Sequence, residues 1–165
     1  ETALDLTNRF PNVIISRTFS KSYSLCSQRI GYFIAHPKLI TALDRIRDSY
    51  NTNELGQTAA LATLTDLSYY QKQFKRIIKA RSQTSKTLTA IGFDIIPSQT
   101  NFIFAKPNGL SAKDWFIKLR KRKIITRWFD TKECRDRLRI TIGTKEEMER
   151  FISATEAIVK KSTRR

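Results

Sequence analysis

The stretch Asn12-Val-Ile-Ile-Ser-Arg-Thr-Phe-Ser-Lys-Ser-Tyr-Ser-Leu-Cys-Ser-Gln-Arg-Ile-Gly-Tyr-Phe-Ile-Ala35 sets two apolar runs around a polar segment rich in hydroxyls. Residues 12–16 have the composition of a short buried strand, and residues 31–35 that of a second. Between them, the loop from Arg17 to Leu25 carries Thr18, Ser20 and Lys21, and Arg29 follows Lys21 by eight positions. A lysine amine forms Schiff bases with carbonyl compounds, while hydroxyls beside a guanidinium fork suit a phosphate. A strand that delivers such a loop marks Ser20, Lys21 and Arg29 as site candidates.

Working outward, Pro37 suits the first turn of a helix reaching about Asp48, with Leu39, Ile40, Leu43 and Ile46 as its apolar stripe. Tyr50-Asn-Thr-Asn interrupts it, and a helix rich in Ala and Leu is predicted from Glu54 to Asp66. From Tyr70 to Ile91 the period is helical: Phe74, Ile77, Ile78 and Leu88 share a face with Ile91 at its edge, opposite Lys72, Lys75, Arg76, Lys79 and Lys86. Arg81 falls on the apolar face and therefore needs a specific partner. After Gly92 the pattern changes to strands at residues 93–96 and 101–105, a helix opened by Ser111 and Asp114, strands at 124–128 and 138–142, and a last helix. That helix starts at Thr144, capped with Glu147, and should bury Met148, Phe151, Ile152 and Val159. The expected fold class is α/β.

The chain has 165 residues, with 31 Lys and Arg against 15 Asp and Glu, a net charge of +16. A hydrophobic fraction of 40% supplies one ordinary core and argues against a disordered chain. No apolar run approaches the roughly 18 to 20 residues of a membrane span. The first residues show neither an initiator Met nor a secretory signal, so the chain is expected to begin mid-gene in a protein that stays in the cytoplasm. Cys26 and Cys134 stand far apart and His36 is the one histidine, a pattern that offers no metal site and no disulfide framework. His36, before Pro37, fits a helix entry better than a base. The clusters Lys118, Arg120, Lys121, Arg122, Lys123 and Lys160, Lys161, Arg164, Arg165 fit helix ends, where cations complement the macrodipole. A basic nucleic-acid-binding module is the competing class; it requires the lysine face of the long helix and the 118–123 cluster to merge into one stripe.

The segment Ser16–Tyr32 resembles the cofactor-lysine segment of fold-type I pyridoxal-phosphate aminotransferases, and the nearest resemblance is to the histidinol-phosphate aminotransferases. The likeness continues through His36-Pro-Lys-Leu-Ile, Asp44-Arg-Ile-Arg-Asp-Ser-Tyr-Asn, Pro97-Ser-Gln-Thr-Asn-Phe-Ile, Ile125-Thr-Arg-Trp-Phe and Leu138-Arg-Ile-Thr-Ile-Gly-Thr, in the family's order over nearly the whole chain. The resemblance implies a pyridoxal 5'-phosphate cofactor bonded to Lys21, with Ser20 and Arg29 on its phosphate. It also implies Arg127 and Arg139 on the substrate's phosphate; Asn101, at a strand start in a family-like motif, reads equally as a residue that approaches substrate and as an ordinary strand-edge Asn. The implied reaction passes an amino group between L-histidinol phosphate and 2-oxoglutarate in histidine biosynthesis, in a homodimer. An aromatic-amino-acid aminotransferase and a phosphothreonine-type decarboxylase share the fold and stand as alternatives. Residues 1–50 are then the C-terminal end of the large cofactor-binding domain and residues 51–165 the small domain. Cys26-Ser27-Gln28 replaces the Ala-Gly pair and apolar residue of many relatives. The family's chain is about twice as long, so the carboxylate for the pyridine nitrogen and the ring-stacking aromatic are expected outside this chain, which alone would be inactive.

Overall fold

The computed structural model describes residues 2–162, which form two compact units dividing between Gln73 and Phe74, inside one helix. Residue 50, the boundary expected from sequence, falls within the first unit. Of the basic tail, Arg164 and Arg165 lie outside the described residues.

The first unit contains α1 (Leu4–Arg9), β1 (Ile14–Thr18), β2 (Gly31–Ala35), α2 (Pro37–Ile46), α3 (Glu54–Thr65) and the start of α4 (Leu67–Ala90). Strands β1 and β2 pair antiparallel from Ile14 opposite Ala35 to Thr18 opposite Gly31. At Gly31 a Cβ would lie 2.5 Å from the Arg17 carbonyl oxygen, so glycine is what lets the strands close where the polar loop begins and ends. The hairpin is less covered than the sequence suggests: Ile14, Tyr32 and Phe33 are exposed, because among the described residues these two strands form a sheet by themselves. Ile46, expected in the stripe of α2, is 80% exposed, while Leu39, Ile40 and Leu43 are half-buried. The one-and-a-half-turn helix α1 has no apolar period of its own and was not legible in the sequence.

The second unit holds the remainder of α4, β3 (Asp94–Ile96), β4 (Phe102–Lys106), α5 (Ala112–Lys121), β5 (Arg127–Trp128), β6 (Leu138–Thr141) and α6 (Lys145–Ser162). Its four strands make an antiparallel sheet in the order β3-β4-β6-β5. Register and the alternation of side chains give the sheet two distinct faces. Ile103, Ala105, Leu138 and Ile140 point to one, where they pack with Leu88 of α4, Trp115 and Leu119 of α5, and Met148, Phe151 and Ile158 of α6. On the other, Ile96, Phe104, Arg139 and Arg127 fall in one row across all four strands.

Both helix starts are capped as expected. Ser111 Oγ accepts from Asp114 N at 3.1 Å and donates to its carboxylate at 2.6 Å. Glu147 N donates to Thr144 Oγ1 at 3.2 Å while Thr144 N donates to Glu147 Oε2 at 2.7 Å, a reciprocal capping box. Arg81 finds its partner in the Thr100 carbonyl, 2.6 Å from Nη1. Arg137 pairs with Asp94 at 2.6 Å and also donates to its carbonyl, tying β3 to the entry of β6. Lys106, 3.1 Å from Asp136, holds that carboxyl below the usual carboxylate range through a side-chain hydrogen bond. The strand expected at 124–128 shrinks to two residues, because Lys123 takes a φ of +59° and only Arg127 and Trp128 reach partners on β6. Among the described residues, no helix is long and apolar enough to cross a membrane.

Three substitutions test this packing by urea unfolding. Leu138→Ala, at a fully buried position, is expected to cost about 2–5 kcal/mol. Thr144→Ala should cost about 1 kcal/mol by removing the cap hydroxyl. Gly31→Ala should cost about 1–3 kcal/mol by forcing the hairpin apart. A neutral Gly31→Ala would show that the close approach to the Arg17 carbonyl does not constrain the hairpin.

Candidate functional site

The polar loop hangs from its ends and from one buried ring. Phe19 is 4% exposed and packs against Tyr23 and Tyr32 in tilted arrangements, with ring centroids 5.1 and 5.6 Å apart. Its backbone nitrogen donates to the Ile30 carbonyl at 3.2 Å, and its carbonyl accepts from Leu25 N at 3.0 Å. The loop is thus closed across its base, and Tyr23 in turn meets Tyr70 at 5.1 Å. With Phe19 turned inward, Ser20 is half-buried and Lys21 is exposed.

Past a 3-10 turn at Cys26–Gln28, Arg29 adopts the left-handed region at φ +55°, which costs a non-glycine residue on the order of 1 kcal/mol. That backbone returns its side chain over the turn, where Nη1 donates to the Cys26 carbonyl at 2.8 Å and to Ser20 Oγ at 3.5 Å. Ser20 and Arg29, nine residues apart, are therefore brought together, with Lys21 beside them in the chain. The nearby Thr18 hydroxyl accepts from Ser20 N at 3.0 Å. Hydroxyls, a guanidinium and an exposed amine on one short loop fit a phosphate-bearing carbonyl compound: the fork and hydroxyl meet the oxyanion, and the amine is free of the core.

In the second unit, Arg127 and Arg139 are direct cross-strand partners on β5 and β6. Both guanidiniums lie over Phe129, at 5.1 and 5.6 Å from its centroid, and Arg139 also lies 5.7 Å from Phe102. They line a cleft of about 370 Å³ together with Phe116, Thr126 and Trp128. Neither takes part in an ion pair among the described residues. Two adjacent like charges with no carboxylate to offset them give this cleft a positive potential, to which an anion would be attracted. Asn101 is half-buried, its carbonyl accepting from Ile142 N at 2.9 Å. His36 Nδ1 accepts from Lys38 N at 3.3 Å as the cap of α2.

Phe19, Asn53 and Phe129 were not singled out from the sequence. Asn53 caps α3 by accepting from Gly56 N at 2.6 Å and reaches back 25 residues to donate to the Gln28 carbonyl at 3.5 Å. The Asn in Tyr50-Asn-Thr-Asn before an Ala-rich helix was a readable capping signal; its second bond, and the approach of Arg139 to Phe129, depend on residues further along the chain.

Known proteins resemble this chain over nearly its full length. It is 45% identical to the histidinol-phosphate aminotransferase of Syntrophotalea carbinolica over 154 residues, which is 93% of this chain and 44% of that protein. The crystal structure of histidinol-phosphate aminotransferase from Sinorhizobium meliloti in complex with pyridoxal-5'-phosphate superposes with a TM-score of 0.79 at 28% identity, covering 92% of this chain and 42% of that one. A decarboxylase from Sulfurospirillum multivorans gives a TM-score of 0.83 at 26% identity, over 96% of this chain and 47% of its own. The chain thus spans less than half the length of these relatives. The family model for aminotransferase class I and II matches residues 2–154, a span that takes in both the lysine loop and the paired arginines, and the chain belongs to that family.

Proposed function

We propose that this chain supplies the lysine loop and the substrate-anion cleft of a pyridoxal-phosphate-dependent aminotransferase. Its substrates are L-histidinol phosphate and 2-oxoglutarate, in histidine biosynthesis. The observation that carries this reading is the Ser20–Arg29 contact next to the exposed Lys21, in a chain that belongs to the aminotransferase family. The identity of 45% to a histidinol-phosphate aminotransferase supports the choice of substrate.

When bound, the cofactor supplies an aldehyde and a pyridine ring that takes up the electron pair left at the substrate carbon as its proton departs. The chain's own residues supply part of the binding and proton transfer that this needs. Arg29 and Ser20 would hold the cofactor phosphate, the guanidinium through charge-assisted bonds for which its contacts to Cys26 and Ser20 already orient it. Lys21 Nζ, exposed beside them, would be the amine that holds the cofactor's aldehyde, and as a free amine it would be the base that accepts the proton from the substrate carbon. Arg127 and Arg139 fix the substrate by its phosphate. Residues 1–50 belong in this reading to the large domain and 51–165 to the small one. The remaining cofactor contacts come from the part of the relatives' length that this chain does not span, within a cytoplasmic homodimer.

Incubation of the chain with pyridoxal phosphate, borohydride reduction and peptide mapping is expected to place the adduct on Lys21, and Lys21→Ala to abolish it. Adducts spread evenly over the other lysines, or none, would sink the assignment of Lys21. Arg29→Gln should slow labelling by pyridoxal phosphate about tenfold and leave labelling by unphosphorylated pyridoxal unchanged. Without the remaining cofactor contacts, a homogeneous preparation of the chain alone should show no measurable transamination. Turnover in such a preparation would mean that these residues suffice.

A further inference from the structure

We propose that Arg120 is a third anion-binding residue of the cleft between α5 and the β5 edge, selecting a phosphate dianion over a carboxylate. This rests on the reading of that cleft as the substrate-anion site. In the sequence, Arg120 is one cation in the run from Lys118 to Lys123, and its position near a helix end is explanation enough. The structure separates it from the others. Of that run, Arg120 alone lines the cleft that Arg127 and Arg139 line.

Its placement follows from helix spacing. Phe116 and Arg120 are four residues apart on α5 and share a face. The guanidinium lies 5.9 Å from the Phe116 ring centroid, and Phe116 in turn packs 6.5 Å from Trp128 on β5. The aromatic pair thus carries Arg120 toward the strand that bears Arg127. Among the described residues, Arg120, like Arg127 and Arg139, has no carboxylate partner.

A second, independent feature points to a ligand. Thr126 lines the same cleft, is 7% exposed, and its hydroxyl has no hydrogen-bond partner among the described residues. Buried hydroxyls are normally satisfied, and one left unsatisfied in a residue that lines the same cleft as three guanidiniums keeps a hydrogen-bonding capacity that an oxygen-rich anion can meet. The number of donors indicates which anion. A carboxylate presents two oxygens and one charge, which the Arg127–Arg139 pair can meet alone. A phosphate monoester presents three terminal oxygens and close to two charges at neutral pH, and it gives a third guanidinium and a hydroxyl something to bind.

The test uses the whole chain and needs no cofactor. Inorganic phosphate and acetate are titrated separately at low ionic strength, followed by the arginine Nε–Hε resonances in NMR. Phosphate is expected to shift the Arg120, Arg127 and Arg139 signals together, and acetate chiefly the latter two. Arg120→Gln should weaken phosphate binding about fivefold and acetate binding less than about twofold. Arg139→Gln should weaken both, and Lys118→Gln, which removes the same charge from the same helix outside the cleft, neither. Unchanged phosphate affinity in Arg120→Gln, equal weakening of both anions, or an equal effect of Lys118→Gln would overturn the proposal. Responses at Arg127 and Arg139 with none at Arg120 would overturn it while leaving the substrate-anion reading intact; silence at all three would overturn both.

Discussion

The period of two along Leu138–Thr141 couples the core of the second unit to its cleft. Leu138 and Ile140 are buried to 0% and 3% exposure, while Arg139 and Thr141, alternating with them, line the cleft on the opposite side. Strand β6 is interior to the sheet, hydrogen-bonded to β4 on one side and β5 on the other. A slip of one residue would drive Arg139 among Trp115, Leu119 and Phe151 and turn Leu138 toward the arginines. The desolvation cost of that guanidinium is what makes the observed register the stable one, so the apolar core enforces the position of a polar group that contributes nothing to the core itself.

The same dependence recurs in the lysine loop, with a ring in place of a strand. Phe19 is buried in the middle of a polar sequence, and its backbone closes the loop to Ile30 and Leu25. Once that ring is inside, the residues on either side of it are directed outward. Arg29 then needs a left-handed backbone to return to Ser20, a conformation sustained by the bonds of its own side chain. Gly31, two residues on, permits the strand to close against Arg17. Three neighbouring residues with quite different chemistry thus set one geometry: a ring that anchors, a cation that folds back, and a missing side chain that lets the backbones meet.

Charge is unevenly divided between the units, with nearly all of the +16 falling after Gln73. Much of it is solvated: Lys75, Lys79 and Lys86 of α4 are exposed, opposite the face from which Leu88 reaches the core. Helix-end cations on α5 complement the exposed carbonyls of its last turn. Such groups keep the unit soluble and draw anions toward it without discriminating among them. The arginines that line the cleft differ in being held: Arg127 and Arg139 over Phe129, and Arg120 over Phe116. A planar cation over a ring gains a favourable contact that narrows the positions its side chain takes, and here that contact is combined with a place in the cleft.

What the sequence determined by itself are the features carried by local pattern. The order of strands and helices after α1, the caps at Ser111 and Thr144, the need of Arg81 for a partner, and the lysine loop with its family likeness all follow from residues within a turn or two of each other, or from ordered motifs. Tertiary structure alone decided what depends on distant partners. The strand at 124–128 kept only the residues that β6 could pair, the hairpin of β1 and β2 stayed exposed where a covered strand was expected, and Arg120 left its basic run to join Arg127 and Arg139. Periodicity states which face of an element is apolar. It cannot state what lies opposite that face, because burial and charge pairing are properties of two surfaces, and the second is written elsewhere in the chain.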